Sequence, residues 1–141
     1  MRSRMWVWAA AAATMAIAQS ALAQEPGEKP VLSEPSLSAD GQLVAFVSGG
    51  DVWEAPASGG VAHLVVTGPA TEGRPLYSPD GRKLAFTSTR GGSANVYVLD
   101  FGSGQLTRLT YGEAGEELDS WSPDGSHIGQ AWRDRSLSTR R

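Results

Sequence analysis

The side chains able to do chemistry are few and scattered: His63 and His127 are the only histidines, and cysteine is absent. Nucleophilic catalysis needs a hydroxyl or thiol within reach of a base, commonly on a G-x-S-x-G elbow, and neither histidine sits in such a motif. No catalytic residue is assigned, and the chain is read as non-enzymatic. Carboxylates are the remaining candidates. Asp40, Asp80 and Asp124 recur along the chain, and Glu113, Glu116, Glu117 and Asp119 cluster. Calcium loops space their ligands as D-x-D-x-D-G, and zinc helices use paired histidines; neither pattern occurs. The clustered acids read as a solvated loop, with weak cation binding as the alternative. Gly91-Gly92 and Gly102-Ser103-Gly104 read as hairpin turns, because no helix pattern follows to aim N–H groups at a phosphate. No metal or cofactor is expected.

The three recurring aspartates share one sequence context. Ser78-Pro79-Asp80-Gly81 returns as Ser122-Pro123-Asp124-Gly125, with a worn copy, Ser38-Ala39-Asp40-Gly41, upstream; the serines lie 40 and 44 residues apart. A period in that range marks four-stranded propeller blades. Proline presets the first central φ of a type I turn, aspartate favours the turn, and glycine accepts the left-handed conformation that ends it. The serine hydroxyl is placed to bond a nearby backbone N–H. Ala39 should loosen the first turn without abolishing it. Each aspartate is thereby accounted for by its turn.

Similarity extends past the turns. PSLSADGQLVAFVS (35–48) aligns with PLYSPDGRKLAFTS (75–88), and Asp51-Val52-Trp53 aligns with Asn95-Val96-Tyr97. A glycine turn then leads to a strand expected to end at Thr67 or Thr110. The β-rich runs Leu43–Val47 and Lys83–Thr87 each follow a D-G turn. Four strand-like runs per period is the number a blade requires. Before each turn serine stands a bulky residue, Leu37, Tyr77 or Trp121, expected to pack between neighbouring blades. Trp53, Tyr97 and Trp121 are expected to fill sheet faces rather than stack on a ligand.

The ends differ from this body. Arg2 and Arg4 precede an apolar run, Met5 to Ala18, and Ala21-Leu22-Ala23 offers a small-x-small site, the pattern of a secretory signal peptide over 1–23. The run is shorter than the roughly 20 residues that span a bilayer, so no membrane span is expected after cleavage. Residues 24–34 read as an extended lead-in, 35–128 as repeats and 129–141 as a basic tail outside the repeat. The tail reads as the product of a truncated or shifted reading frame, a native basic tail being the alternative. Without residues 1–23 the chain carries 10 basic and 15 acidic side chains, an acidic balance unsuited to nucleic acid, whose phosphates need Lys and Arg. Seventeen glycines and eight prolines suit a turn-dense all-β chain.

The segment Leu37 to Ile128, with its (S)PDGxxxAFxS, (D/N)V(W/Y) and Leu109-Thr110 elements, resembles the WD40-like β-propeller repeat of TolB-type proteins and of tricorn-type and prolyl-oligopeptidase-type propellers. The stretch TRLTYGEAGEELDSWSPDG is most similar to the N-terminal propeller of tricorn-like periplasmic peptidases. The resemblance implies an all-β fold, a partial propeller of about two complete four-stranded blades and the start of a third. It further implies a periplasmic or secreted module binding protein or peptide. The alternative is a truncated N-terminal propeller of a tricorn-like serine peptidase that gates peptide substrate without its catalytic domain. A third reading is a non-functional truncated product. A partial array also leaves an open blade edge, through which self-association is expected.

Overall fold

The computed structural model describes residues 31–132; the expected signal peptide, most of the lead-in and the tail beyond Trp132 lie outside them. The described chain is all-β. One four-stranded antiparallel sheet takes β1 (Ser33–Leu37), β2 (Leu43–Ser48), β3 (Asp51–Pro56) and β4 (His63–Val66) in sequence order. A second repeats that meander with β5 (Glu72–Tyr77), β6 (Lys83–Gly91), β7 (Ser93–Asp100) and β8 (Leu106–Arg108). β9 (Glu116–Trp121) and β10 (Ile128–Trp132) pair antiparallel and begin a third. These are two complete propeller blades and the start of another.

Sequential hairpins set this order. Register across the β2–β3 hairpin runs without a break from Leu43↔Pro56 to Ser48↔Asp51 and places Phe46 opposite Trp53; in the second blade the matching pair is Phe86 opposite Tyr97. The closing strands stop at Val66 and Arg108, short of the threonines expected to end them. Thr110 acts instead through its side chain: its Oγ1 accepts from Val96 N (2.9 Å) and donates to Oδ1 of buried Asn95 (3.1 Å). At the other end, β10 stays paired with β9 through Trp132↔Glu116, past Ile128, where the apolar pattern of the repeat fades. Backbone pairing needs only N–H and C=O groups, so it continues where side-chain alternation does not.

Because side chains alternate across a strand, each blade has two faces, and the core consists of the layers between blades. Ala45, Val52 and Val66 of the first blade meet Tyr77, Leu84, Phe86 and Tyr97 of the second. From the second blade's other face, Ala85, Val96 and Val98 meet Leu118, with Trp121 and Ile128 packed alongside. In the second and third blades the residue before the turn serine bridges backwards. Tyr77 Oη donates to Glu54 Oε2 at 2.5 Å in the first blade, and Trp121 Nε1 donates to Leu76 O at 3.0 Å in the second. Leu37, at the same place in the first blade, is 58% exposed. Trp53 likewise lies on the uncovered side of that blade, in an apolar groove with Pro35, Val44, Phe46 and Ala55, and not in a layer between blades.

Candidate functional site

The residues singled out from the sequence form three near-identical turns. Ser38, Ser78 and Ser122 each donate Oγ to the Oδ1 of Asp40, Asp80 or Asp124 at 2.6 Å, and each Oγ accepts from the N–H five residues on at 2.9 Å. Each aspartate also accepts from the backbone N–H two residues on, at Gln42, Arg82 and Ser126. These hydrogen bonds stabilise the carboxylates and hold Asp40, Asp80 and Asp124 below the usual aspartate range, the serine hydroxyl being the largest cause. Gly41, Gly81 and Gly125 have φ of 71°, 69° and 71°. Pro79 and Pro123 occupy the position that Ala39 fills in the first turn. The serine hydroxyl and the aspartate Oδ1 of each motif are engaged within its own turn, one turn per blade, and Gly125 of the third turn lies close to Pro79 of the second.

A different set of groups converges where the blades meet. β1 packs against β5, and β5 reaches β9, so the first strands of successive blades lie side by side. Both β1 and β5 are irregular there. Their pairing shifts register between Ser33 and Ser36 and between Gly73 and Leu76, and inside these shifts Glu34 (φ 52°) and Arg74 (φ 44°) are left-handed. Non-glycine residues enter that region at a cost of about 1 kcal/mol or more, and such strain gathers at functional sites. The Glu34 carboxylate accepts from Arg74 N, and Arg74 extends toward Asp119 at 3.8 Å. Gly73 permits this approach: a Cβ there would stand 2.9 Å from Thr87 Oγ1 and 3.3 Å from Glu34 Oε2.

Two adjoining cavities, of about 290 and 420 Å³, share Glu34, Thr87 and Ala94 and form one trough between the blades. Its buried acids are Glu72 and Glu116, 2% and 9% exposed. Glu72 Oε1 is held by Arg90 at 2.7 Å, and the Arg90 guanidinium lies over the rings of Phe86 (5.6 Å) and Tyr97 (5.2 Å). The Oε2 atoms of both Glu72 and Glu116 are buried without a hydrogen-bond partner. Four carboxylates, Glu34, Glu72, Glu116 and Glu117, therefore surround the trough against Arg74 and the supporting Arg90. Among the described residues no group of three or more His, Asp or Glu is arranged to hold a metal ion.

The acidic run was expected as a solvated loop, yet Glu116 begins β9 and is buried. A charged stretch carries no hydropathy signal of burial, which here comes from the adjoining blade. Glu72 and Arg90 were missed. One signal could have found them: Glu72 and Glu116 each stand six residues before a turn serine, the same phase of the repeat.

Stacked four-stranded meanders with inter-blade cores define a β-propeller architecture. The chain belongs to the family of the tricorn protease N-terminal beta propeller domain, matched over residues 29–141. It is 41% identical over 102 residues to tricorn protease homolog 1 of Streptomyces coelicolor, covering 68% of this chain and 10% of that protein. Over 57 residues, 40% of this chain and 13% of the relative, it is 40% identical to the Tol-Pal system protein TolB of Francisella tularensis. The crystal structure of TolB from Acinetobacter baumannii matches with a TM-score of 0.60 at 28% identity, covering 73% of this chain and 27% of that one. The chain thus spans about a tenth of the length of these curated relatives, and the region shared with tricorn protease is a propeller, not its catalytic part. Among the described residues no helix is long and apolar enough to cross a membrane.

Proposed function

We propose that the chain is an exported, non-catalytic propeller module that binds protein or peptide segments at the carboxylate-bearing trough between its blades. The observation that carries this reading is the convergence of strained Glu34 and Arg74 with buried Glu72 and Glu116 on first strands that face one another across the blades. The three S-x-D-G turns have a purely structural role. Support for export comes from the leader-like residues 1–23 and from the similarity to TolB; fusing residues 1–30 to a reporter active only outside the cytoplasm tests it. Binding is tested by fluorescence anisotropy of the full chain with a pool of random decapeptides labelled at the carboxyl end. Saturable binding lost on Arg74→Glu is expected, and a pool that never binds overturns the reading.

A second reading is favoured by the similarity to a tricorn protease homolog ten times longer than the matched region: this propeller gates peptide for a serine peptidase domain. Sequence of the locus beyond codon 141 separates the two, since further S-P-D-G blades alone favour the binding module and a protease region favours the gate. The groove of about 520 Å³ on the uncovered side of the first blade further supports self-association, which sedimentation of the full chain measures.

A further inference from the structure

We infer that the trough receives a primary ammonium group carried by a peptide, with Glu116 as its counter-charge. This rests on the peptide-binding reading above and specifies what the peptide presents. Glu116 and Glu72 occupy the same phase of successive repeats, yet only Glu72 has a guanidinium, Arg90, upon it. The side-chain Oε2 of Glu116 has no hydrogen-bond partner among the described residues, although Glu116 is nine-tenths buried and lines the smaller cavity. Removing one ion of a buried pair leaves a strongly destabilising charge, so a carboxylate kept in that position calls for a cation from outside.

The shape and chemistry of the cavity select the cation. An ammonium carries three donors and no acceptor, and the walls present acceptors: the Glu116 carboxylate, the Thr87 hydroxyl and, across the trough, the Glu34 carboxylate. Ala94, Ala114 and Gly115 complete the wall with small groups that leave room for the first atoms of a chain behind the nitrogen. A planar guanidinium is already represented by Arg74 at the rim, and a metal would need a cluster of acidic or histidine ligands that the described residues do not form. The α-amino group of a peptide and a lysine side chain share the required chemistry.

The test uses the full chain and three lysine-controlled decapeptide pools: free amino terminus without lysine, N-acetylated without lysine, and N-acetylated with one lysine. Binding of the first pool at least tenfold tighter than the second is expected, together with amide shifts at Ala94 and Gly115; the third pool then tells an amino terminus from a lysine. Equal binding of all three overturns the ammonium site and leaves the peptide reading intact, whereas binding by none overturns both. Glu116→Gln should weaken the free-amine pool at least tenfold while leaving the melting temperature unchanged or raised, since it removes an unpaired buried charge. A lowered melting temperature would mean that the carboxylate has an internal partner, and the inference would fall.

Discussion

Trp121 donates its indole N–H to the main-chain carbonyl of Leu76, 45 residues earlier, and so ties the third blade to the first strand of the second. Trp121→Phe keeps an aromatic ring in the layer with Leu118 and removes this bond, so a loss of about 1–2 kcal/mol is expected. Tyr77→Phe removes the matching bond to Glu54, which is assisted by the carboxylate charge, and should cost about 2–3 kcal/mol. Urea titration of the full chain followed by tryptophan fluorescence measures both. No loss in either variant would mean that apolar contact alone joins the blades.

Ala39→Pro should stabilise the chain by about 0.4–1 kcal/mol. The first turn has the same hydrogen bonds as the two that carry Pro79 and Pro123, and the Ala39 N–H makes none in it, so proline would restrict the unfolded chain without loss in the folded one. A raised urea midpoint is the expected result.

Gly81→Ala tests the turn from the opposite side. A Cβ at Gly81 meets nothing within 4 Å, so its φ of +69° is the sole source of strain. The expected loss is about 1–2 kcal/mol, with peptide binding at the distant trough unchanged when the folded chain is assayed.

Phe86→Ala should be far more damaging than Trp53→Ala. Phe86 is fully buried between the first two blades, with its ring centroid 6.1 Å from that of Tyr97, and truncation of such a ring costs about 3–5 kcal/mol. Trp53 lies on the uncovered groove and keeps part of its surface in water already. Circular dichroism is expected to find Phe86→Ala unfolded under conditions where Trp53→Ala remains folded.

Acid should destabilise the turns. Asp40, Asp80 and Asp124 have carboxyl groups held below their ordinary value of 3.8 by hydrogen bonds in the folded chain. The unfolded chain therefore binds protons at higher pH than the folded one. The resulting stability is complete above about pH 4 and is lost as pH falls through the lowered folded values. Melting temperatures taken from about pH 7 down to about pH 2.5 should fall at the acid end. With all three aspartates replaced by asparagine, the curve should begin lower and fall less.

The turns and hairpins were legible because their instructions are local: proline, aspartate and glycine act on the four residues they occupy, and the runs after them alternate for strands. Glu116 was not legible as a buried residue. Its neighbour in sequence is acidic, and what covers it is the second blade, Glu72 to Arg108, against which β9 packs. Trp53 was misplaced for a related reason. Alternation states that it lies opposite Val52 across the sheet, but it does not state whether anything stands on that side. The pair Glu72–Arg90 was hidden because its partners stand 18 residues apart in no recognisable motif, and only repeat phase joins Glu72 to Glu116.

The alternation of large and small side chains across the blades gives the stack a direction. At each junction a small-residue face, Ala45 with Val52 and then Ala85 with Val96 and Val98, receives a bulkier one. The uncovered face of the first blade is of the bulky kind, with Phe46 and Trp53. Two copies meeting by twofold symmetry through it would set tryptophan against tryptophan. A good fit instead brings bulky face to small face, a heterologous contact that either closes into a ring or continues as a filament.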